Sequence, residues 1–189
     1  MMGAKGEQTR NEIIEAAKTL FYHRGYTQTS FSDIVDETGI RRGNINHYFK
    51  TKDDILKAVI EERVAEYKAV FFDWEKQYPE PKDRLHCFVK MVASNSVNLA
   101  RYGCPIGTLN AELGKESCDY QDVARGLFDV FVDWLTLQFK KLNNPKQAQA
   151  RALHLLGRTE GISVIAHVYN DPNLISTEVK MLQKWIDEL

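Results

Sequence analysis

The sequence predicts an all-α protein, an N-terminal three-helix unit built around a helix-turn-helix and followed by a longer helical unit. Three observations predict it. Apolar residues recur at helical spacing almost everywhere, period-two alternation bounded by turn residues is nowhere sustained, and capping residues, glycines and prolines punctuate the pattern at helix-length intervals. At 189 residues, 43% hydrophobic and 27% charged, the chain can fill one compact core or two small ones.

The first helix is expected over Thr9–His23, with Ile13, Ala17, Leu20 and Phe21 on one face and Gly25 as its stop. Ser30 and Asp33 have capping-box spacing and open a short second helix that buries Ile34 and Val35. Gly39 ends it, and helix resumes through Tyr48. Thr51 and Asp54 repeat the capping signature before a long helix striped by Leu56, Val59, Val64, Tyr67, Phe71 and Trp74, which Pro79 and Pro81 break. One helix is then expected to carry Leu85, Phe88, Val92 and Leu99 up to the irregular Gly103–Gly107 segment, with a short turn of helix near Leu109–Leu113. Asp119–Lys141, with Val123, Leu127, Phe131 and Trp134 in register, precedes the Asn143-Asn144-Pro145 break. The last two helices are expected over Pro145–Tyr169 and from Asp171-Pro172 to the end, the latter striped by Ile175, Val179, Leu182 and Ile186.

The formal net charge of −1 gives no global affinity for polyanions, so a nucleic-acid reading must rest on local charge. Residues 1–52 carry eight Lys or Arg against six Asp or Glu, a local excess of two against a deficit of three over the rest. Three cysteines, Cys87, Cys104 and Cys118, without CxxC spacing predict neither a disulfide framework nor a metal site, and a reducing cytoplasm is the simple expectation. No stretch reads as a signal peptide or membrane span. HExxH, GxSxG, P-loop and GxGxxG patterns are absent, so no catalytic residue or cofactor is expected.

Residues 29–56 carry the main signal. A helix-turn-helix needs a short helix, a glycine at a sharp turn, an apolar anchor after it, and a second helix with polar residues facing outward. Asp33–Thr38, Gly39, Ile40 and Arg41–Tyr48 supply these in order. Arg41, Arg42, Asn44, Asn46 and His47 are outward donors and acceptors. Arg suits guanine and Asn suits adenine in the major groove, making Arg42, Asn44 and Asn46 the candidate base readers. Thr29 and Ser30 are within reach of a phosphate, with a plain helix cap as the preferred reading. Ile45 and Phe49 read as core.

This stretch resembles the TetR family from about Thr9 through Leu56. The matching pieces are Phe21 with Gly25-Tyr26, then Thr29, Ile34, Gly39-Ile40, Gly43, His47-Tyr48-Phe49, Lys52 and Leu56. Two positions depart from the pattern: Arg41 stands where a small hydroxyl residue usually caps the recognition helix, and Asn46 where an aromatic is common. The resemblance implies a DNA-binding domain over 1–50, with Tyr48 and Lys52 as phosphate clamps on double-stranded DNA, and an effector-binding and dimerisation domain over 51–189.

In the second domain the resemblance implies a pocket for a small-molecule effector. Trp74, Phe88, Met91, Phe131 and Trp134 are candidate walls, although ordinary core is the plainer role for each. Asn95 and Arg158 are candidate polar contacts, with His154 and Arg158 four apart and able to pair a carboxylate such as Glu112 or Glu160. Gly103-Cys104-Pro105-Ile106-Gly107 looks like a segment found in a subset of the family, placing Cys104 at the pocket mouth as a sensing thiol or, preferably, a buried inert one. The helix from Pro145 has two apolar faces, one a narrow seam of Leu153, Gly157, Gly161, Val164 and Val168, and so asks for a core and a second chain. Leu182, Trp185 and Ile186 of the last helix would complete a four-helix bundle with a homodimer mate. Two other function classes compete, a helical enzyme and an adaptor that has lost DNA reading.

Overall fold

The structure, a computed structural model, describes residues 3–114, 118–142 and 145–189. All its regular secondary structure among these residues is helical: α1 (Ala4–Arg24), α2 (Phe31–Thr38), α3 (Arg42–Tyr48), α4 (Lys52–Gln77), α5 (Pro81–Ser94), α6 (Ser96–Tyr102), α7 (Gly107–Leu113), α8 (Cys118–Lys140), a 3-10 turn (Pro145–Gln147), α9 (Ala148–Tyr169) and α10 (Pro172–Asp187). The chain divides into two compact units, residues 1–65 with 108–125, and residues 66–107 with 126–189. Among the described residues no helix is long and apolar enough to cross a membrane.

In the first unit α1, α2 and α3 pack on one another. Ile13, Ile14, Ala17, Leu20 and Phe21 of α1 are buried with Ile34 of α2 and Ile45 of α3. The capping box at Ser30 forms in full: the Ser30 hydroxyl accepts from the Asp33 N–H, and the Asp33 carboxylate accepts from the Ser30 N–H. Thr51 and Asp54 do the same at the start of α4. Gly39 ends α2 at φ +66, in the left-handed region that an L side chain enters only at a cost, and its N–H reaches the Val35 carbonyl. The chain can therefore reverse direction within Gly39-Ile40-Arg41 and begin α3.

The second unit has a core of aromatic rings. Phe71 stacks on Trp134 at 4.3 Å between centroids, Phe131 meets Tyr67 and Phe71 edge-on, and Phe88 closes on Phe131. Around this core α10 packs on α5 and α9, and α6 packs on α9. A buried polar chain runs beside it. Arg84 donates to the Tyr78 and Pro79 carbonyls and to Gln138 Oε1, while Gln138 Nε2 and Trp134 Nε1 both donate to Glu75 Oε1.

Three boundaries differ from expectation. α1 starts five residues before Thr9. The single helix expected through Leu99 breaks at Asn95, because the Ser94 hydroxyl and the Asn95 amide both bond the Met91 carbonyl and compete with the helical ladder. The segment after Pro145 is a 3-10 turn before α9 proper begins at Ala148. Val123, Cys118 and the Asn143-Asn144 break lie outside the residues described in full.

Gln138 is fully buried and Arg84 nearly so. Replacing Gln138 with the apolar, similarly sized Leu leaves one guanidinium N–H without its acceptor. Urea unfolding of Gln138→Leu is expected to show a loss of about 2 kcal/mol, read as a lowered midpoint at unchanged m value. A variant as stable as the parent would mean that the chain from Arg84 to Glu75 contributes nothing net.

Candidate nucleic-acid interface

α3 turns its apolar side inward and its polar side out. Ile45 is fully buried and Phe49, just past the helix end, is 4% exposed, so these two side chains hold the helix down. Arg41, Arg42, Asn44 and His47 are exposed, with Asn46 and Tyr48 half-buried. Arg41 precedes the helix in an extended conformation and supplies no side-chain cap. The Arg42 guanidinium lies over the Phe31 ring at 5.2 Å, and the rings of His47 and Tyr48 meet edge-on at 5.2 Å. Arg42 and His47 are thus exposed and each lies against a neighbouring ring.

The turn between α1 and α2 is held by several elements of the same unit. Lys52 Nζ donates to the Tyr26 carbonyl at 2.9 Å and to the Thr29 carbonyl at 2.8 Å, and its ammonium lies 4.0 Å from the centre of the Tyr26 ring. The Tyr26 hydroxyl bonds Asp53. Thr29 is only 1% exposed and its hydroxyl donates to the Gly25 carbonyl at 2.7 Å. Thr29 is thus a buried pin of the turn, neither the plain helix cap preferred for it nor the DNA contact offered as the alternative. Ser30 is the cap. Lys52 is less free than expected, since two of its three N–H groups already serve carbonyls.

In the second unit most of the proposed effector residues are already engaged with one another or with other partners. Phe88, Phe131 and Trp134 are buried against Phe71, and Trp74 packs half-buried beside Phe71 and Trp134, so these rings fill the space between one another. They are core first. Met91 is half-buried, and the exposed Asn95 spends its amide on the Met91 carbonyl. Arg158 pairs with Glu178 of α10 at 2.5 Å, and the His154 ring lies against Trp185, so neither pairs with Glu112 or Glu160.

Glu160 instead receives the Cys104 thiol at 3.1 Å. Burial, reinforced by that carboxylate, pushes the Cys104 thiol up to about 12, and burial also raises Glu160 above the ordinary carboxylate value. A thiol so held is protonated at neutral pH and is a poor nucleophile.

Along α9, Leu153, Val164 and Val168 are 51, 61 and 73% exposed, and a Cβ built at Gly157 or Gly161 would meet nothing. This face is uncovered. Trp185 is half-buried, whereas Leu182 and Ile186 are at most 1% exposed inside their own unit. Those two belong to the core rather than to a surface, which corrects their assignment to an interface.

Sequence reasoning missed Glu75 and Glu178, and named Tyr26, Glu112 and Glu160 without finding the partners they have. A signal was present for the two missed residues: Glu75 falls four residues after Phe71 and Glu178 three after Ile175, at the spacing of the buried stripes, where a carboxylate needs a partner.

The family model for bacterial regulatory proteins of the tetR family matches residues 13–59. An uncharacterized HTH-type transcriptional regulator in the lacX 3' region of Lactococcus lactis subsp. lactis is 26% identical over 182 residues, covering 93% of this chain and 91% of its own. The crystal structure of a TetR transcriptional regulator from Chloroflexus aurantiacus superposes with a TM-score of 0.86 at 20% identity, over 98% of this chain and 97% of that one. The transcriptional regulator FadR from Bacillus subtilis, solved in complex with stearoyl-CoA, superposes with a TM-score of 0.70 at 19% identity, over 91 and 96% of the two chains. The matched segment spans the turn at Gly39, the buried anchors Ile45 and Phe49 and the outward arginines: residues 13–59 match the tetR family of bacterial regulatory proteins, and the chain as a whole has the fold of solved TetR regulators.

Proposed function

We propose that this regulator is a repressor that binds a palindromic operator as a homodimer and is released when a small hydrophobic effector enters the second unit. The observation that carries the reading is the outward face of α3, where Arg41, Arg42, Asn44 and His47 stand exposed above two buried anchors. A helix so mounted suits the major groove, Arg42 and the two asparagines reading base edges. Tyr48 and the remaining N–H of Lys52 serve backbone phosphates.

The dimer reading rests on α9. Leu153, Gly157, Gly161, Val164 and Val168 fall on one helix face, apolar, uncovered and with glycines that admit close backbone approach. Trp185 flanks it from α10. The effector reading rests on the aromatic content of the second unit and on FadR, whose structure holds an acyl-CoA. In this chain Phe71 and Trp134 are in stacking contact, so a ligand lying among the rings has to separate them.

Selection from a pool of random duplexes tests the function directly. The expected product is a palindromic site whose affinity falls linearly in log K against log salt. Arg42→Ala should relax preference at one base position at a cost of about 1–3 kcal/mol, whereas Lys52→Ala should weaken all duplexes alike. No enrichment at low salt would sink the DNA reading, and an unchanged motif in Arg42→Ala would remove Arg42 from the readers.

Sedimentation of Val164→Glu tests the α9 face. A charge placed there should shift a dimeric parent to monomer while helicity is kept; a dimer that survives it is assembled elsewhere.

Iodoacetamide labelling followed by mass spectrometry tests Cys104. The native protein should resist labelling at this position at neutral pH, over a period in which the unfolded chain is fully alkylated, because the thiol ionises only near 12. Rapid labelling of the native Cys104 would restore it as a candidate sensor.

A further inference from the structure

The DNA-reading unit includes a piece of chain far from the helix-turn-helix in sequence, residues 108–125. The contact that the α7 part of this piece makes is specific. Glu112 accepts the Thr27 N–H at 3.0 Å, across 85 residues of sequence. Its carboxylate also fills the space above Gly25: a Cβ built there would lie 2.7 Å from Oε1 and 3.1 Å from Oε2, and Gly25 itself sits at φ +87. Both the hydrogen bond and the missing side chain point to the same carboxylate.

The turn it holds is the one on which the reading helices hang. Gly25 closes α1, Thr29 is bonded back to the Gly25 carbonyl, Lys52 bridges the Tyr26 and Thr29 carbonyls, and Ser30 caps α2, from whose end the chain turns at Gly39 into α3. Lys52 secures the carbonyl side of this turn. Glu112 secures an N–H on the other side, and no other partner of the Thr27 N–H appears among the described residues.

The charge argues in the same direction. A carboxylate in a unit that meets a polyanion works against binding, and here that charge is turned onto a backbone N–H of the turn. We propose that Glu112 is a positioning residue for DNA reading, holding the α1–α2 turn in the geometry that α2 and α3 need on the duplex. The inference rests on the reading of α3 as the recognition helix and adds to it a residue of α7, outside the segment that carries the family resemblance. It also assigns a reason to Gly25, whose side chain would displace the carboxylate.

The test uses the full chain, a duplex selected by the parent protein, and three variants, Glu112→Ala, Glu112→Gln and Gly25→Ala. Binding is read by fluorescence anisotropy, and the Thr27 amide by hydrogen exchange in the absence of DNA. Glu112→Ala should weaken the selected duplex by about tenfold and speed exchange at Thr27, with helicity unchanged. Glu112→Gln, which keeps an acceptor oxygen and loses the charge, should restore slow exchange and most of the affinity. Gly25→Ala should weaken binding at least as much as Glu112→Ala, because its Cβ displaces the carboxylate and is also strained at φ +87. If Glu112→Ala fails to fold, Glu112→Ser, polar but too short to reach the Thr27 N–H, carries the same test with the same expected outcome. Affinity within twofold of the parent in Glu112→Ala, or tighter binding from removal of a negative charge, overturns the inference. A parent that selects no duplex overturns the DNA reading and this inference together, and is distinguished by needing no variant.

Discussion

A seven-residue helix has no stability of its own in water, and α3 exists because Ile45 and Phe49 are taken out of it. Burying side chains of this size is worth about 1.5–3 kcal/mol each, enough to offset the cost of nucleating two turns of helix. With Arg41 in place of a capping residue, the helix start gains nothing from a side-chain hydrogen bond. The position of the outward face of α3 is therefore set by two apolar anchors beneath it and by Gly39, whose left-handed conformation lets the chain turn from α2 into α3. Everything outward of Ile45 is free to be chosen for recognition, because nothing inward of it needs those side chains.

This division explains what was legible in the sequence. Ser30 with Asp33 and Thr51 with Asp54 could be read as capping boxes because both partners lie within one turn, and both form. Gly39 could be read because few other residues tolerate its φ. Thr29 was misassigned because its hydroxyl is occupied by the Gly25 carbonyl, a bond inside an irregular turn that no periodicity announces. Leu182 and Ile186 were misassigned for a different reason: an apolar stripe states that a helix is covered, and only the packing of α5 and α9 against α10 says by what. Glu112 stood furthest from sight, since its partner lies 85 residues away.

The second unit follows another rule. Its core is made of large rings that carry few polar atoms, and the polar atoms they do carry are matched individually. Trp134 gives its indole N–H to Glu75, and Glu75 is reached also by Gln138, which accepts from Arg84. Each link gives a buried donor an acceptor, which is the condition for placing an arginine and a glutamine beside an apolar core. On α9 the opposite holds. Val164 and Val168 remain exposed although their neighbours Ser163 and Ala166 are buried, so the two sides of this helix are separately specified by the sequence.

A net charge of −1 and a local excess of two basic residues understate the field of the reading unit. The carboxylates nearest the turn are directed onto donors of the fold itself. Asp33 takes the side-chain and backbone donors of Ser30, Asp54 the backbone N–H groups of Lys50 and Thr51, Asp53 the Tyr26 hydroxyl and Glu112 the Thr27 N–H. Hydrogen bonds from Ser30 hold Asp33 below the usual carboxylate range, and those from Thr51 do the same for Asp54, so both stay ionised while their charge faces backbone N–H groups. Arg41 and Arg42 point the other way, exposed on α3. What a polyanion meets at α3 is set by which charges the fold has already used, and at that face the unused ones are positive.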